Sequence, residues 1–159
     1  MRRTFARMIC LFGCLALISP SLSPPAAAAG TASAKTSPSA VAAAESRDPH
    51  YWFQKGALCA TYGNNQAAVN YFGKAIYLDP GHSGAYFSQG VSYGQLGDYA
   101  RAVAAINRAI EMKPHNGLYY YGRARVYLLS GEKEKAMADF RKAADLGDED
   151  ARIYLRNVK

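Results

Sequence analysis

Along residues 49–148 the apolar and polar positions repeat on two scales. Over a short stretch, large side chains recur seven apart, two turns along one face of an α-helix. Over a longer stretch the whole pattern returns every 34 residues, the spacing between Pro80 and Pro114. Three copies start at Pro49, Ser83 and Gly117. Their fourth places hold Trp52, Tyr86 and Tyr120, and their eleventh Cys59, Tyr93 and Tyr127. The eighth places hold Gly56, Gly90 and Ala124, and the twentieth Ala68, Ala102 and Ala136. Glycine recurs at the fifteenth place as Gly63, Gly97 and Gly131. The twenty-fourth holds Phe72, Ile106 and Phe140, and the twenty-seventh Ala75, Ala109 and Ala143.

This pattern predicts a helical hairpin in each copy. Small residues at places eight and twenty let two antiparallel helices approach, because interaxial distance follows side-chain size. Glycine at place fifteen ends the first helix in a left-handed cap that tolerates no Cβ easily. Proline at place thirty-two stops the second helix and sets the turn to the next copy. The third copy departs from the pattern, with Asp148 where proline belongs. There Gly147 is expected to cap the sixth helix, and Asp148, Glu149 and Asp150 to open a seventh over about 148–157. Its Ile153, Tyr154 and Leu155 are expected to cover the end of the stack, with Arg152, Arg156 and Lys159 in water.

At these places the chain resembles the tetratricopeptide repeat (TPR) family, over residues 49–148. The resemblance implies an all-α fold, an α-solenoid of three TPR helix-turn-helix repeats plus a C-terminal capping helix. The repeats span residues 49–82, 83–116 and 117–147, and the cap and tail 148–159. It also implies a concave groove lined by the first helix of each repeat. The groove-facing places then give an aromatic ladder, Phe53, Phe87 and Tyr121, with Ala57, Val91 and Arg125 at place nine. Leu128 stands at place twelve, Leu118 at place two, and Thr61, Gln95 and Leu129 at place thirteen. Such a groove suits a protein or peptide partner that inserts a few apolar side chains, with Arg125 for a carboxylate. Helix phase leaves open whether the ladder faces solvent or packs internally. Family members that hold acidic chaperone tails use a clamp of Lys, Asn and Arg. The corresponding places here are Phe53, Ala57, Ser88, Leu118 and Gly122, and none matches. The alternative reading is a self-associating structural module, a homo-dimer built on the ends of the stack.

The first 48 residues follow different rules. Arg2, Arg3 and Arg7 precede an apolar run from Met8 to Ile18, too short to span a bilayer comfortably. Pro20, Pro24 and Pro25 and a run of alanines follow, so residues 1–29 are expected to be a cleavable export signal. Export points to a bacterial periplasm or outer envelope, with the membrane met only through that signal. Leu11-Phe12-Gly13-Cys14 is a poor lipidation motif, because Phe12 is bulky and the apolar run continues past Cys14. Residues 30–48 are rich in Ala, Ser and Pro and are expected to be a disordered tether.

Charge and chemistry add mainly exclusions. The chain of 159 residues has 19 Lys and Arg against 12 Asp and Glu, a formal charge of +7. Interspersed signs in the repeats make this a solubility feature, so no nucleic-acid partner is expected. Cys10, Cys14 and Cys59 cannot build a disulfide framework or a cysteine zinc site. His50, His82 and His115 fall near separate inter-repeat turns, so no metal and no cofactor is expected. Cys59 is expected to be a small buried hydrophobe. Asp98, Glu132 and Glu134 stand where acids cap second helices. No nucleophile, base and orienter converge, so the chain is expected not to be an enzyme.

Overall fold

The computed structural model describes residues 47–158. The expectations for an export signal, Cys14 and most of the tether lie outside the described residues. Seven helices make up the described region: α1 (Pro49–Thr61), α2 (Asn65–Leu78), α3 (Ser83–Gln95), α4 (Tyr99–Met112), α5 (Gly117–Leu129), α6 (Lys133–Asp145) and α7 (Glu149–Asn157). They form three hairpins, α1–α2, α3–α4 and α5–α6, each stacked on the next, with α7 against the last. The described residues are all helix and turn. None of their helices is long and apolar enough to cross a membrane. Asp48, at the end of the expected tether, is the N-cap of α1 and accepts from the His50 N–H at 2.8 Å.

Each hairpin closes on the small residues of its pattern. A Cβ placed on Gly56 would lie 2.7 Å from the Phe72 ring, and one on Gly90 would lie 2.6 Å from Ile106 Cγ1. Phe72, Ile106 and Phe140 are accordingly almost wholly buried, as are Ala68, Ala102 and Ala136 beside them. The first helices end at Gly63, Gly97 and Gly131 with φ of 76°, 79° and 84°, and α6 ends the same way at Gly147 with φ 94°.

Register alone misplaces some residues. In α7, Ala151 is buried and Tyr154 stacks on Phe140 with centroids 4.0 Å apart, while Ile153 remains 42% exposed. The docked face of α7 runs through 151, 154 and 155, three to four apart, and Ile153 falls off it. Cys59 is half-buried rather than buried, because place eleven lies at the edge of the hairpin. Glu132 stands at the N-cap of α6 but makes no capping hydrogen bond. Its carboxylate accepts from Ser130 Oγ and pairs with Lys135 instead.

Candidate functional site

The first helices α1, α3 and α5 share one face with two adjoining cavities. A cavity of about 460 Å³ lies over α1 and α3, bordered by Ala57, Ala60, Thr61, Phe87, Ser88 and Val91. A second, of about 240 Å³, lies over α3 and α5, bordered by Phe87, Val91, Leu118, Tyr121, Arg125 and Leu129. Phe87, Val91 and Gln95 border both, so the two form one continuous groove. Among the described residues Arg125 is the sole charged side chain on either lining, and none of the described carboxylates lines the groove. Small floor residues create the space. Gly94 lets Val126 approach, since a Cβ there would sit 3.2 Å from Val126 Cγ2.

The aromatic ladder serves first as packing between successive repeats. Phe53 stacks on His82 at 4.8 Å and tilts against Phe72 at 5.6 Å, and it lines neither cavity. Phe87 stacks on Tyr119 at 4.9 Å and covers Gly122, where a Cβ would collide with its ring. Its remaining edge borders both cavities. Tyr121 meets Phe140 edge-on at 5.7 Å, and the Arg125 guanidinium lies 5.9 Å from the Tyr121 centroid. Leu128 also lies away from the groove. It packs against the cluster of Ala124, Phe140 and Ala151, because α7 occupies the flank of the third repeat. The structure therefore gathers Ala57, Phe87, Val91, Tyr121 and Arg125 and leaves Phe53 and Leu128 in packing roles. The exposed apolar surface is carried by Leu118 and Leu129, 48% and 56% exposed, at places two and thirteen. An apolar residue at a groove-facing place was their only sequence signal.

Two models of the tetratricopeptide repeat match this chain, one over residues 49–82 and one over residues 87–151. The chain belongs to the tetratricopeptide repeat family. No curated protein matches it. Among solved structures, this TPR chain resembles MamA from Desulfovibrio magneticus RS-1, 29% identical with a TM-score of 0.61, over 68% of this chain and 61% of that one. It also resembles the first TPR of Spaghetti (RPAP3), bound to the HSP90 peptide SRMEEVD, at 20% identity and TM-score 0.65, over 71% and 91% of the two chains. YrrB, a TPR protein with an unusual peptide-binding site, is 19% identical with a TM-score of 0.64, over 69% and 57%. At these identities the RPAP3 and YrrB likenesses are of fold. The chain spans less than two thirds of the MamA and YrrB structures it matches.

Electrostatics in this TPR domain separate two arginines that stand two residues apart. Arg123 forks onto Asp139 with contacts of 2.7 and 2.8 Å and donates to Asn107 Oδ1 at 2.6 Å. It thereby ties α4, α5 and α6 together, and its hydrogen bonds to Asp139 raise its pKa further. Arg123 is a structural cation and does not join a basic stripe with Arg125. Arg125 is exposed and makes no ion pair among the described residues. His82 is spent on α3, whose Ala85 N–H it accepts through Nδ1 at 3.1 Å. Among the described residues no three His, Cys, Asp or Glu side chains converge on a metal site.

Proposed function

We propose that this TPR domain is a non-catalytic scaffold that captures a peptide segment of an envelope protein in its concave groove. The carrying observation is the apolar groove over α1, α3 and α5, with Arg125 as its one charge among the described residues. The cavity beside Leu118, Tyr121 and Leu129 is sized for one large apolar side chain, and Arg125 stands where a nearby carboxylate would reach it. Peptide-bound and peptide-binding TPR proteins among the structural neighbours support capture as the mode. The clamp places Phe53, Ala57, Ser88, Leu118 and Gly122 offer no Lys, Asn or Arg, so the peptide is not of the acidic chaperone-tail kind. The export signature of residues 1–29 supports an envelope compartment.

The test is a photo-crosslinking residue at Leu118, in the chain expressed in its own cells. A discrete foreign adduct that disappears when the crosslinker moves to Arg108, on the outer helix α4, supports capture and identifies the partner. Equal labelling from both positions would sink the groove as the site.

A further inference from the structure

The first hairpin differs from the other two in how its charges are answered. From Pro49 to Leu78, across α1 and α2, the chain has Lys55 and Lys74 and no Asp or Glu. The repeat register locates the difference. In the third repeat Arg123 stands at place seven, and Asp139 at place twenty-three pairs with it at 2.7 Å. The first repeat has Lys55 and Tyr71 at those places. In the second repeat Arg108 stands at place twenty-six, paired at 2.8 Å with Glu111 at place twenty-nine. The third repeat has Lys142 and Asp145 there, and the first has Lys74 and Tyr77. In the first hairpin tyrosine therefore occupies both places where a later repeat has the acid that answers its cation.

Aromatic rings hold the two lysines instead. Trp52 and Tyr71 stack at 5.7 Å with planes 17° apart, and Tyr51 meets Trp52 edge-on at 5.1 Å. The Lys74 Nζ lies 4.1 Å from the Trp52 centroid and 5.7 Å from that of Tyr71. The Lys55 Nζ lies 5.1, 5.6 and 5.5 Å from the centroids of Tyr51, Trp52 and Tyr71. Both cations thus sit on one aromatic cluster that joins α1 to α2. Neither makes an ion pair among the described residues. A ring orders an ammonium group and leaves its charge standing, whereas a carboxylate cancels it. Tyr77, one turn beyond Lys74 on α2, is 85% exposed. The face combines uncancelled positive charge with open aromatic surface, and none of these residues lines the groove.

We infer that this face of the first hairpin, made by Trp52, Lys55, Tyr71, Lys74 and Tyr77, docks on an anionic lipid surface. Charge complementarity calls for an anionic occupant, and the residue types favour a bilayer. Protein interfaces are enriched in arginine and depleted in lysine. Nucleic acid is held by a stripe of cations that neutralises several phosphates at once, and two lysines make no stripe. At a bilayer surface lysine lays its stem along apolar surface with its ammonium among the headgroups, and Tyr and Trp rings sit at the same level. Each lysine there adds attraction to anionic lipid. The face is separate from the groove, so the inference stands or falls apart from peptide capture. It would bring a membrane to the folded repeats and not only to residues 1–29.

Vesicle co-sedimentation of the full chain, purified from the cells that make it, tests this. The expected result is binding to vesicles of equal parts phosphatidylcholine and phosphatidylglycerol, little binding to phosphatidylcholine alone, and loss of binding as salt rises. Trp52 is the one tryptophan of the chain, so its fluorescence should be quenched when the vesicles carry brominated acyl chains. Lys55→Gln with Lys74→Gln should lower the partition coefficient at least about ten-fold. Tyr77→Ser, at a ring open to solvent, should weaken it as well and keep the wild-type melt. Lys133→Gln with Lys142→Gln, which removes the same charge from exposed sites on α6, should not weaken it. Four results would overturn the inference. One is no binding to the anionic vesicles, with or without retention on immobilised polyglutamate; retention would assign the face to an acidic protein segment. Another is binding unchanged by both the lysine pair and Tyr77→Ser, which would assign it to another part of the chain. A third is equal loss from the two lysine pairs, the mark of net charge alone. The last is binding that leaves Trp52 unquenched.

Discussion

Gly90 and Gly97 stand seven residues apart and are glycine for different reasons. At Gly90 a Cβ would meet Ile106 Cγ1 at 2.6 Å and the Ala102 carbonyl oxygen at 2.8 Å, so the residue sets the distance between α3 and α4. At Gly97 nothing lies within 4 Å, but φ is +79°. Gly97→Ala should therefore cost about 1 kcal/mol of backbone strain in a denaturant titration. Gly90→Leu should cost more than about 3 kcal/mol, at or above the range of overpacking. An unchanged midpoint for Gly90→Leu would contradict the packing register. Phe87 carries both packing and groove. Its truncation to alanine should cost on the order of 3 kcal/mol of stability, so binding lost in that variant says little about contact with a peptide. Arg125→Gln is the cleaner probe. It should leave the melt unchanged and weaken an acidic peptide by about 1.5–3 kcal/mol, the range for hydrogen bonds to a charged group. Calorimetry against peptides with and without a carboxylate checks it.

At the scale of elements, the turn within each hairpin is one compact device. The N–H of Asn64, Asp98, Glu132 and Asp148 closes on the carbonyl of Cys59, Tyr93, Tyr127 and Ala143 at 2.8–3.0 Å. The glycine before each bonds one residue further on, and together these make Schellman caps. The same residue then opens the next helix. Asn64, Asp98 and Asp148 accept from Ala67, Arg101 and Ala151 at 3.2, 3.1 and 2.8 Å. Glu132 is one methylene too long for that bond and turns away. Glu132→Asp should restore the cap and stabilise by about 0.5–1 kcal/mol, read from the denaturation midpoint. The Asp98 carboxyl is held below its usual value by the Arg101 side chain and then by the Arg101 backbone N–H. A lowered folded value means its stabilisation is whole above the ordinary carboxylate range and fades as pH falls through the lowered one. Asp98→Asn should flatten that part of the acid limb in a pH series of melts.

At the scale of the molecule, stability and function divide between the ends and the hollow of the stack. A repeat array is stabilised largely by nearest-neighbour contacts, so its ends are its weak points. The α7 end rests on Tyr154 against Phe140 and on Ala151 in the same cluster. Tyr154→Ala should cost about 2–4 kcal/mol and raise hydrogen exchange in α6 before α4, because the loss is local to the last repeat. Uniform exchange across all three hairpins would show instead that the array melts as one unit. The groove tolerates change where its lining is open, since Leu118 and Leu129 are about half exposed.

The sequence by itself determined the hairpins, their period and their turns. Helical phase is local, and a positive-φ glycine followed by a short polar side chain specifies a cap without help from distant residues. It also placed Ala57, Val91 and Arg125 on one face, since residues at equivalent places must share a direction. What it could not decide is which residues on a face acquire a neighbour. Phe87 belongs half to Tyr119, Leu128 belongs to the α7 cluster, and Leu58 is 58% exposed at the place where Ser92 and Val126 are buried. Those outcomes depend on what stands across the interface, and only the tertiary structure supplies the other side.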